Sequence, residues 1–432
     1  MRTYIGRFAA PMDVMRITEP DLPPQNVLQT ALRKTTEIRA GELASPTGAP
    51  PDWSGFEWLM ARVVAAIHGI SPLLADTLRW HGPPEWQQFL RDQVVQTAGR
   101  QARIAEFLHL LDLRARESGI AVVALKGAEL HALGVYCGGR RPMGDIDLLV
   151  RGADMAGTTQ ILESLGFRAS LPTWKHRTFV PECSRPPRQS LGEHADNDLK
   201  IDLHERVWEA LPAHKEEVTA RILPPQAHPG LNRYPSTASL MIHLLLHAAG
   251  AIVLRNVRLL QLHDVALLSA RMSGRDWDEL VRASRADGGY WWAWPPLALT
   301  ARYYPGVIPD SLLGTAEASC PRLLRAVTRR QTLSDVSLSH LPIAAFPGIE
   351  WSRSLSEATG YALRRALPGR EVLSARAERL KAHDGAATSG WEQLSQWRRV
   401  VRWLRAPQAR TETLYPIRVA LLEVNGSWPN VA

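Results

Sequence analysis

A chain of 432 residues, 45% hydrophobic and 22% charged, is long enough for two or three packed domains and has the balance of an ordinary globular protein. Three scattered cysteines (Cys137, Cys183, Cys320) exclude a disulfide framework. With no Cys-x-x-Cys pair among them a zinc site is not expected, and a reducing cytoplasmic setting is. The net charge of +8 is concentrated late: Pro321 to Arg410 holds 16 Lys and Arg against 7 Asp and Glu. Met1 to Val14 has no sustained apolar run, so no secretory signal is expected, nor does any stretch suggest a membrane span.

Residues 1–52, rich in Pro, Thr and Gly, read as a flexible or poorly structured segment with one short helix around Pro24 to Arg39. Residues 53–118 read as helical. Phe56, Leu59, Met60, Val63, Val64 and Ile67 recur at helical spacing, and Trp86 to Glu117 predicts a long helix stopped by Gly119. An α/β core is expected over 119–207. It begins with a strand over Ile120 to Leu125 and a short helix opened by Gly127. The run Arg140-Arg141-Pro142-Met143-Gly144-Asp145-Ile146-Asp147-Leu148-Leu149-Val150 gives the next strand. A helix over Met155 to Leu165 follows, then strands over Phe167 to Leu171 and Trp174 to Val180, a Pro-rich loop, and a strand carrying Asp202. Beyond Val207 the pattern is almost wholly helical, with a helical domain over 208–310 and a basic helical region over 311–432. His243 and His247, in one apolar helix, read as packing residues, and so does Tyr290-Trp291-Trp292-Ala293-Trp294.

The chemistry lies in the core. A strand has a side-chain period of two, so Asp145 and Asp147 share one face, where two like charges repel unless a cation lies between them. In the third strand Asp202 and His204 also share a face. Three carboxylates on neighbouring strands suit two Mg²⁺ ions, or Mn²⁺, clamping the attacking and leaving oxygens of a phosphate displacement. Asp202 is expected as a ligand or general base, and His204 as a support behind the acids. Lys126 and Gly127 end the first strand. There Gly127 would let the backbone approach a phosphate and Lys126 would neutralise it, joined by the forked donors of Arg140 and Arg141.

Leu125-Lys126-Gly127, Arg141 to Val150 and Ile201-Asp202-Leu203-His204 together resemble the uncharacterised nucleotidyltransferase family of the DNA polymerase β-like superfamily. The resemblance implies two-metal transfer of a nucleoside monophosphate from an NTP, with release of pyrophosphate. It covers 120–204 most closely. One departure is Gly127-Ala128, where the superfamily carries Gly-Gly or Gly-Ser. The expected fold is α+β: a small mixed-sheet core with a helical N-terminal segment and a large helical C-terminal region. The expected catalytic and metal-binding set is Asp145, Asp147 and Asp202, and the expected nucleotide-binding set is Lys126, Gly127, Arg140 and Arg141. Small molecules, peptides and proteins all remain open as acceptors. Competing readings are a catalytically silent nucleotide-binding module and an RNA-modifying transferase that uses the basic C-terminal third.

Overall fold

The apolar run after Gly119 forms β1 (Ala121–Ala124) of a six-stranded mixed sheet in the computed structural model. That structure describes residues 22–170, 175–183, 190–212, 214–286, 289–367, 394–405 and 408–424. The other strands of the sheet are β2 (Ile146–Leu149), β3 (Phe167–Ala169), β4 (Arg177–Pro181), β5 (Ile201–His204) and β8 (Gly230–Asn232). Their spatial order is β3-β4-β5-β2-β1-β8, with β2 parallel to β5, β1 parallel to β8 and the other pairs antiparallel. The fold is therefore α+β, built on a mixed sheet.

Period-two alternation gives this sheet two different faces. Val122, Ile146, Leu148, Ile201 and Leu203 point into one core with Ile104, Phe107 and Leu111 of the long helix α4 (Pro84–Glu117). At 1.5 Å per residue α4 is about 50 Å long, enough to span the sheet and reach the loops beyond it. Val123 and Leu149 point the other way, into a larger core shared with the helical regions. Asp147, Asp202 and His204 alternate with the first set and so lie on this second face.

Chain order begins with α1 (Gln25–Ala44), α2 (Gly55–Ile67) and α3 (Ser71–Thr77). After α4 come α5 (Gly127–Ala132), α6 (Met155–Ser164) and α7 (Thr219–Ile222). Next are α8 (Thr237–Val253), α9 (Leu259–Ser269), α10 (Gly274–Ala286) and α11 (Trp294–Tyr303). Later helices include Leu355–Ala366, Gln396–Arg405 and Thr411–Glu423. Trp291, Trp292 and Trp294 are buried, as packing residues. Among the described residues no single helix is long and apolar enough to cross a membrane.

Two expectations need correction. The segment to residue 52, expected to be poorly structured apart from a short helix around Pro24 to Arg39, contains that helix as the 20-residue α1, which buries Leu28, Ala31, Leu32, Thr35, Thr36 and Arg39. Its inward stripe is half polar, which hid how long and how well packed it is. Arg39 is fully buried with its guanidinium carbon 4.3–5.7 Å from the ring centroids of Trp53, Trp58, Trp80 and Trp86. The region past Val207 is also not wholly helical. It contains the hairpin β6 (Trp208–Leu211) and β7 (His214–Glu217), and the edge strand β8. His-Lys-Glu-Glu has no apolar alternation, and β8 has only three residues. The reading of Met1 to Val14, and part of those over Trp174 and Trp391, falls outside the described residues.

Candidate active site

Parallel pairing of β2 with β5 sets Asp147 directly beside Asp202, and antiparallel pairing of β4 with β5 sets Thr178 on its other side. Register alone thus gathers two acids and a hydroxyl at the centre of the sheet. Lys126 follows β1, which is adjacent to β2, with the Leu125 N–H donating to the Asp147 carbonyl at 2.9 Å. Its backbone has φ +48°, a region that L-residues rarely enter and that costs on the order of 1–3 kcal/mol. The turn is held by the Lys126 N–H donating to Tyr234 Oη at 3.3 Å, and Tyr234 Oη lies 2.7 Å from His243 Nδ1.

The Lys126 ammonium donates to Asp147 Oδ2 at 2.7 Å, and His204 Nε2 lies 3.0 Å from Asp147 Oδ1. Burial raises the Asp147 carboxyl, but Lys126 and His204 outweigh it and hold it well below the usual carboxylate range. Asp202 accepts from Thr178 Oγ1 at 2.7 Å and faces His176 Nε2 at 3.3 Å; the His176 ring packs 4.9 Å from that of His204. Asp145, two residues before Asp147, makes no hydrogen bond or close ion pair among the described residues. It is exposed by surface area, yet burial and the neighbouring charge of Asp147 raise its carboxyl.

Lys126, Asp147, Asp202 and His204 therefore meet at the centre of the sheet, with Asp145 two residues before Asp147. The remaining expected residues do not join them. Arg141 is buried and forked onto Asp264 of α9, with Nε to Oδ1 at 2.8 Å and Nη2 to Oδ2 at 2.6 Å. Tyr136 Oη donates to the same carboxylate at 2.6 Å. With its fork committed to Asp264, Arg141 is not a phosphate donor in this arrangement. Gly127 serves that pair. A Cβ on Gly127 would lie 2.1 Å from Arg141 Nη1, so the missing side chain makes room for a guanidinium. Arg140 turns to Asp76 of α3, at 2.9 Å.

Other residues of the site gave no clear signal in the sequence. Arg100 of α4 donates to the carbonyls of Met143 at 2.8 Å, Gly144 at 2.9 Å and Asn197 at 2.8 Å. It ties the loop before β2 to the loop before β5 and so aligns the two acid-bearing strands. A cue existed in Gln93, Thr97 and Arg100, polar residues on the same buried stripe as Phe89, Ile104 and Phe107. Arg258, exposed just before α9, lies close enough to Asp145 to oppose the rise of its carboxyl. On α8, His243 is buried with its Nδ1 against Tyr234 Oη, as expected of a packing residue, whereas His247 is partly exposed beside Glu209.

The donor set, three carboxylate oxygen groups with Asp145 unengaged, suits a hard divalent cation. In the arrangement described, no three His, Cys, Asp or Glu side chains among the described residues already converge as a metal cluster. The Lys126 ammonium neutralises Asp147 instead.

Residues 54–302, more than half of the chain, match the family described as "Uncharacterised nucleotidyltransferase". The chain belongs to that family. Nucleotidyl transfer is accordingly the activity class of this nucleotidyltransferase. No curated protein matches it. A solution structure of the antibiotic-resistance factor ANT(2'')-Ia is similar over 44% of this chain and 94% of its own, at 16% identity and a TM-score of 0.30.

Proposed function

We propose that this nucleotidyltransferase moves a nucleoside monophosphate from an NTP to an acceptor and releases pyrophosphate, with Asp145, Asp147 and Asp202 holding Mg²⁺ (two ions, or Mn²⁺). The observation that carries the reading is the register of the sheet. It sets Asp147 beside Asp202, with Asp145 exposed two residues upstream and a lysine ammonium already in place. Bound metal would lower the charge barrier at the phosphorus and polarise the phosphate oxygens.

The chain's own residues do the rest. Lys126, on a strained turn, supplies a positive charge that can pass from Asp147 to an incoming phosphate. Arg258 at the start of α9 offers a second cation beside Asp145, the place that sequence reasoning gave to Arg140 and Arg141. His204 fixes Asp147 from one side, while Thr178 and His176 fix Asp202, so the acids keep their orientation when a ligand arrives. A cytoplasmic setting remains part of the proposal.

One observation favours a second reading, a nucleotide-binding regulatory module without turnover: both oxygens of Asp147 are engaged, by Lys126 and His204. Pyrophosphate release from ATP, CTP, GTP and UTP with Mg²⁺, run beside calorimetry with the same nucleotides, separates the two. Release supports transfer; binding without release supports the regulatory module.

A further inference from the structure

Helix α8 is a core element: every residue from Thr237 to Val253 is buried except Thr237 itself and His247. His247 thus marks the point where a core helix opens to solvent, its side chain 35% exposed. The opening lies on the side of the carboxylates: one turn earlier His243 meets Tyr234 Oη, which holds the Lys126 turn, and Lys175, bound to Glu209, directly precedes His176, which faces Asp202. Facing His247, β6 presents Glu209, whose Oε1 lies 3.7 Å from His247 Nδ1 and whose other oxygen accepts from Lys175. Gly250, one turn further along α8, makes room for this carboxylate; a Cβ there would lie 2.7 Å from Glu209 Oε2. The separation of 3.7 Å exceeds a hydrogen bond, but catalytic pairs are often loose before substrate binds. His243, one turn earlier, is buried with its Nδ1 against Tyr234 Oη, so it is not placed for the same work.

We propose that His247, oriented by Glu209, is the general base that activates the acceptor, and that the acceptor reacts through a hydroxyl group. The proposal rests on the nucleotidyl-transfer reading and names the substrate class of that site. Glu209 holds Nδ1 as the protonated nitrogen, which leaves the Nε2 lone pair as the acceptor. The acceptor oxygen attacks the α-phosphorus and its proton passes to His247 Nε2. The bond from the α-phosphorus to the bridging oxygen breaks, and pyrophosphate leaves with that electron pair. Besides Glu209, the charged groups facing His247 are Lys126 and Asp147, with Lys175 behind Glu209 and His243 on the same helix. Burial and the Lys126 charge keep the imidazole neutral near pH 7, the form that accepts a proton.

The test is pyrophosphate release from each Mg²⁺-NTP with glycerol as a surrogate hydroxyl acceptor. It compares wild type, His247→Gln, His247→Ala with and without imidazole, and Glu209→Gln, with thermal unfolding to verify folding. His247→Gln is expected to lower kcat by about 10²–10⁴-fold, leave KM for the NTP unchanged and remove the acid limb of the pH profile. Imidazole is expected to restore part of the rate to His247→Ala. If both His247 variants keep the wild-type kcat and acid limb, the base assignment is overturned and nucleotidyl transfer stands. If wild type releases no pyrophosphate from any NTP, the transfer reading falls and takes this inference with it.

Discussion

Asp264→Ala probes the joint between the helical domain and the Lys126–Gly127 turn. The wild-type carboxylate is 2% exposed and accepts from Arg141 Nε, Arg141 Nη2 and Tyr136 Oη. Burial lowers the Arg141 pKa, but Asp264 more than reverses this and keeps the guanidinium charged. Truncation leaves that guanidinium buried beside Gly127 with no counter-charge, a change that typically costs about 3–5 kcal/mol. Arg141 cannot relax toward Gly127, because its Nη1 already fills the space where a Cβ would stand. In urea unfolding the midpoint is expected to fall with an unchanged slope. A paired Arg141→Met, Asp264→Leu variant, which removes both charges, is expected to recover most of the loss. A loss below about 1 kcal/mol for Asp264→Ala would mean the pair is not desolvated, and the account of Arg141 as a structural residue would be wrong.

Gly127→Ala places a methyl against Arg141 and Met143, and is expected to destabilise by about 1–3 kcal/mol in the same urea assay. Arg39 sits among four tryptophan rings with none of its three guanidinium nitrogens hydrogen-bonded, and burial draws its pKa down to about 9. Arg39→Met, which keeps the stem, is therefore expected to be neutral or stabilising, whereas Arg39→Ala opens a cavity and costs about 2–5 kcal/mol by thermal or urea unfolding. His68 is fully buried, its Nδ1 accepting from the Leu259 N–H at 2.9 Å and its Nε2 against Ser339 Oγ at 3.0 Å; burial lowers its pKa to about 3. The unfolded histidine takes a proton near pH 6.5, so its contribution is complete above that pH and is lost as pH falls toward 3. The loss is roughly 2 kcal/mol at pH 5. His68→Gln is expected to flatten the stability–pH slope between pH 6.5 and 5 by about one proton.

Local chemistry was legible in the sequence; long-range partnership was not. Asp147, Asp202 and His204 lie on short apolar strands, so their shared face follows from a period of two, and the structure places them together, with Asp145 just before β2. Lys126 was visible because it ends such a strand. Arg141 looked equivalent to Lys126 in a linear reading, since both flank the acids. Its partner Asp264 lies 123 residues away on α9, and that contact turns a candidate phosphate donor into an anchor. Gly127 was expected to let the backbone approach a phosphate; the group packed against it here is Arg141. Arg100 was hidden within an otherwise apolar helical stripe. His247 gave no signal because a histidine in an apolar helix reads as packing; only the burial of nearly every other residue of α8 marks it out. The edge strand β8 and the β6–β7 hairpin escaped because strands of three or four residues are too short to carry a measurable periodicity, and β7 is wholly polar.

Asp147→Asn tests the central claim most directly, since it keeps shape while removing the charge between Lys126 and the expected metal. With the NTP that wild type uses, at saturating Mg²⁺, the variant is expected to fold normally and release pyrophosphate at least about 10³-fold more slowly, a barrier increase of about 4 kcal/mol. Pyrophosphate release within about threefold of wild type, on the same rate scale, would show that the carboxylates paired across β2 and β5 do not carry the reaction.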